Sequence, residues 1–219
     1  MGSDPTTYNG GSLVAMCGKN CVAIASDLRF GIQAMTVGMD FPKIFPLDDD
    51  SGPKLCVGLS GLASDVQTLS TAIKAFTKSA LIESQGSFPT SLLRPSTLAS
   101  RISTMLYGQR FSPWFVEPII AGIDESFDGN NSPFICSIDL LGSISIANDF
   151  VTSGTASSSL SGICESLWAP DMDQEQLFEA VSQALLSAMG RDALSGWGTV
   201  VHIITPEGRT IRHVECRMD

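Results

Sequence analysis

Charge is scarce in this chain. Only 16 % of its 219 residues are Asp, Glu, Lys or Arg, and 13 basic residues face 23 acidic ones, for a formal net charge of −10. That deficit of positive charge argues against a nucleic-acid or anionic-membrane partner. Long hydrophobic runs are missing too. Although 43 % of the residues are hydrophobic, no stretch approaches the ~20 apolar residues of a membrane-spanning helix. The opening Met1-Gly2-Ser3-Asp4-Pro5-Thr6 has neither a basic start nor an apolar core, so no secretory signal is expected. Histidine occurs twice, at His202 and His213, without ligand spacing, and Cys17 with Cys21 cannot complete a zinc tetrahedron. No metal or cofactor is expected. The six cysteines (17, 21, 56, 136, 164 and 216) fall mostly in apolar strand-like runs, which favours reduced core thiols over disulfides. Linkers, internal repeats and low-complexity tracts are absent.

What is present suits one domain able to bury most of its apolar surface. High apolar content with little charge fits surfaces covered by partners and fits a generous core equally well. Strand-like runs begin at Gly11-Ser12-Leu13-Val14-Ala15-Met16 and Cys21-Val22-Ala23-Ile24-Ala25-Ser26-Asp27. The run Leu55-Cys56-Val57-Gly58-Leu59-Ser60-Gly61 reads as a buried strand ending in a turn; no Lys-Ser/Thr follows its glycines, so it is no phosphate loop. Ser64 and Gln67 have capping-box spacing, before a helix carrying Val66, Leu69, Ile73, Phe76, Ala80 and Leu81 on one face. A second helix is predicted from Pro95-Ser96, with Leu98, Ile102, Met105 and Leu106 together. Strands follow at 118–123 and 134–141 around the turn-rich 128–133, then helices at 156–167 and 173–189. A hairpin at 199–204 and 210–216 closes the chain. Strands and helices come in groups, which argues for an α+β fold.

Two spacings and two short motifs stand out. Asp27 lies sixteen positions after Gly11, Lys43 sixteen after Asp27, and Thr152-Ser153-Gly154-Thr155 and Arg191-Asp192-Ala193-Leu194-Ser195-Gly196 come later. With Tyr8-Asn9-Gly10-Gly11, Arg29-Phe30-Gly31-Ile32-Gln33-Ala34, Phe41-Pro42-Lys43-Ile44-Phe45-Pro46 and Cys164-Glu165-Ser166-Leu167-Trp168, the chain resembles the beta subunits of the proteasome core particle. The details are most similar to the non-catalytic beta type-3 members. The resemblance implies an N-terminal-nucleophile hydrolase fold, a four-layer αββα sandwich of two antiparallel sheets between helix layers. It implies a short leader, residues 1–10, before a single domain, 11–219. Stacked heptameric rings of alpha and beta subunits, with beta type-2 and beta type-4 as ring neighbours, are implied as partners, and cytoplasm and nucleus as the location.

Active members of that family carry a threonine where this chain has Gly11. Their reaction needs a hydroxyl oxygen to attack the carbonyl and a free α-amine to take its proton. Gly11 has no side chain and follows ten residues. Losing the nucleophile of an acyl-transfer site costs on the order of 10⁶ in turnover, so the site reads as inactive. In the family pattern Asp27 pairs with Lys43, while Ser153, Asp192 and Ser195 surround the terminal amine; here these remnants read as a buried ion pair and mutually satisfied hydroxyls. Ser12 is the nearest substitute nucleophile. It stands fifteen residues before Asp27, and a one-residue slip on a strand turns the side chain to the other face.

A silent member still closes a ring. The resemblance implies that Asp139 and Ser143 lie beside the substrate pocket of a neighbouring beta type-2 subunit, where an acidic group would favour basic substrate residues; the plainer reading is that Asp139 ends a strand. Arg217-Met218-Asp219 is a candidate tail for docking on a partner ring. Two rival functions stand beside the structural one: an active peptidase using a processed Ser12, and a homo-oligomeric chaperone-like ring.

Overall fold

The computed structural model describes residues 4–47, 55–83, 94–125 and 131–216. The core of the chain is a pair of five-stranded antiparallel sheets. The first contains β1 (Ser12–Gly18), β2 (Cys21–Asp27), β10 (Phe150–Gly154), β11 (Thr199–Thr205) and β12 (Gly208–Val214), in the order β10-β1-β2-β11-β12. The second contains β5 (Ile44–Pro46), β6 (Leu55–Gly61), β7 (Val116–Glu125), β8 (Asn131–Ile138) and β9 (Ile144–Ala147), in sequence order. A two-stranded ribbon, β3 (Phe30–Ile32) with β4 (Met35–Gly38), stands apart from both.

The unbroken apolar runs have a direct cause, because β1 and β2 are covered on both faces. Side chains alternate across a strand, and in β1 Leu13, Ala15 and Cys17 point into the space between the sheets, with Ile24, Cys56, Ile119 and Ile135. Val14 and Met16 point the other way, onto Leu160, Cys164, Leu177, Val181 and Leu185. Those residues belong to α3 (Ser157–Leu167) and α4 (Gln174–Met189). Over the second sheet, Leu55, Val57, Leu59 and Ile120 meet Val66, Leu69, Leu98, Ile102 and Leu106, from α1 (Ala63–Glu83) and α2 (Pro95–Gly108). The result is helix layer, sheet, sheet, helix layer, as the resemblance implied.

Several local expectations change. Strand β8 runs Asn131–Ile138 rather than 134–141, because Asp139 turns the chain. Asp139 Oδ1 accepts from Leu141 N at 2.9 Å and Ser143 N at 2.7 Å. The capping box at Ser64 and Gln67 does not start α1. Ser64 is the helix's second residue, and the first helical N–H, of Ala63, donates to Asn9 Oδ1 at 2.9 Å. A reciprocal capping box does form at Asp173 and Gln176, opening α4. The Leu81 side chain, residues 128–130 of the expected 128–133 turn and the tail 217–219 lie outside the described residues, and 131–133 belong to β8. All six cysteines are free thiols, five of them buried. No helix among the described residues is long and apolar enough to cross a membrane.

Candidate functional site

Strand register brings the distant motifs to one end of the first sheet. Leu13 pairs with Ser26, Ser12 with Gly154 and Thr199 with Asp27, so Gly11, Asp27, Thr155 and the 191–198 loop converge. Lys43 immediately precedes β5, and its carbonyl accepts from Leu59 N at 2.8 Å. That bond fixes the strand from which its side chain crosses to Asp27.

Asp27 and Lys43 form a fully buried ion pair, Nζ to Oδ1 2.9 Å, with side chains 0 % and 3 % exposed. The ammonium is saturated. Lys43 Nζ also donates to Asp27 O at 3.2 Å and Arg29 O at 2.7 Å, which uses all three ammonium hydrogens. Asp27 Oδ1 also accepts from Ser12 N at 2.9 Å, and Oδ2 accepts from Gly196 N at 3.2 Å. Burial pulls the Lys43 ammonium below its ordinary value; Asp27 opposes that shift and Arg29 adds to it. Such a pair orders the sheet end, with both Asp27 oxygens accepting hydrogen bonds and no ammonium hydrogen of Lys43 left over.

The space a side chain at Gly11 would need is filled. A Cβ built on Gly11 would lie 2.5 Å from Lys43 Cε, 3.1 Å from Cδ and 3.4 Å from Asp27 Oδ1. Gly11 also has φ +134°, a conformation closed to most side chains. Its nitrogen continues into Gly10, so no α-amine stands here.

A second cluster lies on the far side of Gly11. Asp192 Oδ2 accepts from Thr155 Oγ at 2.5 Å and Ser195 Oγ at 2.7 Å, and Oδ1 accepts from Leu194 N at 3.0 Å. Thr155 links this cluster to Gly11, since its N–H donates to Gly11 O at 2.9 Å. Its place directly after Ser153-Gly154 is the one signal the sequence holds for it. Ser153 does not join this cluster. Its hydroxyl sits 2.6 Å from Ser60 Oγ and donates to Glu117 Oε2 at 3.2 Å, because on β10 it faces the second sheet.

Ser12 is also accounted for. Its hydroxyl is buried at 0 % exposure and has no hydrogen-bond partner among the described residues, so no base is placed to activate it. Asp139 is exposed; with Glu117, Thr152, Ser153 and Ser161 it borders a recess of about 410 Å³. Ser143 is exposed in the adjoining turn. Among the described residues no three His, Cys, Asp or Glu side chains group as a metal site.

The geometry fits one family in particular. A family model described as Proteasome subunit matches residues 7–204. The chain belongs to the proteasome subunit family. Proteasome subunit beta type-3 of Picea mariana is 48 % identical over 212 residues, covering 97 % of this chain and 98 % of that protein. The Saccharomyces cerevisiae protein of the same name is 44 % identical over 217 residues, covering 99 % and 100 %. The Drosophila melanogaster one is 43 % identical over 212 residues, covering 97 % and 98 %. The likeness therefore spans both sheets and the four α-helices among the described residues.

Proposed function

We propose that this beta-type chain builds the wall of the proteasome's proteolytic chamber without cutting peptide bonds itself. The observation that carries the reading is Gly11, where the hydroxyl is missing and the Lys43 stem fills the space a side chain would need. Asp27, Lys43, Ser153, Asp192 and Ser195 are then structural remnants that hold the sheet end closed. The particle works in cytoplasm and nucleus, with this chain set between beta type-2 and beta type-4 subunits. Native mass spectrometry of the purified complex tests the assembly: a hetero-oligomer with one copy of this chain per ring is expected, and a ring made of this chain alone would reject it.

Asp139 and Ser143 add an outward role, bordering the pocket of the beta type-2 neighbour. Because Asp139 Oδ1 is engaged in its own turn, the other carboxylate oxygen is the part that would meet a basic substrate side chain. Asp139→Asn keeps the turn acceptor and removes the charge. Peptides with basic residues in the extended pocket should then be cleaved more slowly, by about 2–5-fold at ~0.5–1 kcal/mol for a partly exposed pair. Unchanged kinetics on such peptides would remove this role.

A further inference from the structure

Several serines in the helices of this chain donate back to their own helix. Ser70, Ser100, Ser161 and Ser166 each bond to a carbonyl three or four residues earlier, the usual resort of a helical hydroxyl. Ser182, inside α4, does not. It is 7 % exposed, and its Oγ is buried with no hydrogen-bond partner among the described residues. A hydroxyl taken out of water and left unpaired is costly. Ser182 also lines a recess of about 400 Å³, where α4 passes Val214 at the end of the edge strand β12.

Phe178, Ser182 and Leu186 follow one another at four-residue spacing and share a face of α4. With Val214 they make the walls of the recess, apolar apart from that one hydroxyl. Glu179, Gln183 and Ser187 are exposed and form its rim. The Phe178 wall is held in place, because the Arg212 guanidinium lies 4.6 Å from the ring centroid and donates to Glu175 Oε2 at 2.6 Å. An apolar concavity of this size with one inward polar group has the make-up of a small-molecule site.

The lining decides what fits. Six of the seven lining residues belong to α4, whose main-chain groups are largely spent on the helix itself. A polypeptide laid in the recess would bury its own amides without partners, whereas a molecule with a single polar group would not. Glu179 puts a carboxylate on the rim and no lining residue is basic, which disfavours an anion. We infer that this recess binds a small, uncharged aromatic molecule carrying one hydroxyl, with its ring against Phe178, Leu186 and Val214 and its hydroxyl bonded to Ser182 Oγ. The inference goes beyond the silent site and does not rest on the reading of Gly11.

The test uses the native complex, with isotope-labelled leucine and valine methyls in this chain alone. The Leu186 and Val214 signals are followed during titration with 2-naphthol and with naphthalene, the same ring without the hydroxyl. Both signals should shift and saturate, and 2-naphthol should bind about 3–10-fold tighter, the range of one neutral hydrogen bond. In Ser182→Ala the two probes should bind within about twofold of each other. Signals that move with neither probe, equal Kd for the two probes in the unaltered chain, or a preference that survives Ser182→Ala would overturn the inference. Magnetisation transfer from those methyls to another subunit, with no response to either probe, would also overturn it and give the recess to a neighbour's side chain. The comparison of probes in the unaltered chain needs no variant, so it decides the matter even if Ser182→Ala fails to incorporate.

Discussion

Restoring the threonine should not restore the enzyme. In Gly11→Thr the new Cβ would meet Lys43 Cε at 2.5 Å and Cδ at 3.1 Å. A lysine stem ordinarily yields at small cost, but here Nζ is pinned by Asp27 Oδ1, Asp27 O and Arg29 O. Overpacking of this kind costs about 1–3 kcal/mol, and holding a β-branched residue at φ +134° adds about 1–3 kcal/mol. Together that is roughly 2–6 kcal/mol of local destabilisation, or about 30-fold to 10⁴-fold faster local opening. Hydrogen exchange at the Ser12 and Gly196 amides reads it directly, since both donate to Asp27. A peptide electrophile should still leave the variant chain unlabelled. Exchange rates within a factor of two of the parent, or a covalent adduct on Gly11→Thr, would refute the packing argument.

Three further outcomes are expected. Lys43→Met strands the Asp27 carboxylate and should cost about 3–5 kcal/mol in urea unfolding followed by tryptophan fluorescence, whereas Asp27→Asn combined with Lys43→Met should recover most of it; equal losses would contradict the pairing. Burial pushes Cys17, Cys136 and Cys164 up to about 12 from 9.0, so the folded chain keeps protons the unfolded chain gives up. Stability then falls as pH rises from 9 towards 12, by about 1.4 kcal/mol per pH unit for each thiol at most. Lys43, lowered from 10.5, acts in the opposite sense only up to that value. The net slope in alkaline urea titrations should be negative and shallower in Cys164→Ala; a flat profile would contradict the burial. Asp173→Ala removes the box that opens α4 and should cost about 1 kcal/mol, seen as faster exchange at the Gln176 amide.

Elements whose cause is local were legible before the structure. The apolar strands β1, β2, β6 and β11, and the stripes of α1, α2 and α4, announce themselves because burial on a fixed face writes a period into the residues. The short strands β9 and β10 did not, since Ile144–Ala147 is half exposed and Phe150–Gly154 carries Thr and Ser on its faces. The start of α1 was misread because its cap comes from Asn9, 54 residues away, and no local pattern encodes such a partner. At the site, the resemblance implied Asp27 and Lys43 as a pair, and the structure joins them. The residues alone do not show that Ser153 turns to Ser60 and Glu117, that Thr155 links Asp192 to Gly11, or that the Lys43 stem fills the space beside Gly11. Those facts depend on which face of β10 looks inward and on where a flexible stem comes to rest.

The most direct test of the silent site is the intact mass of this chain, taken from particles saturated with a peptide electrophile that reacts with N-terminal nucleophiles. An unmodified chain is expected while other beta subunits in the same particle gain the adduct. A mass increase of one inhibitor on this chain would contradict it.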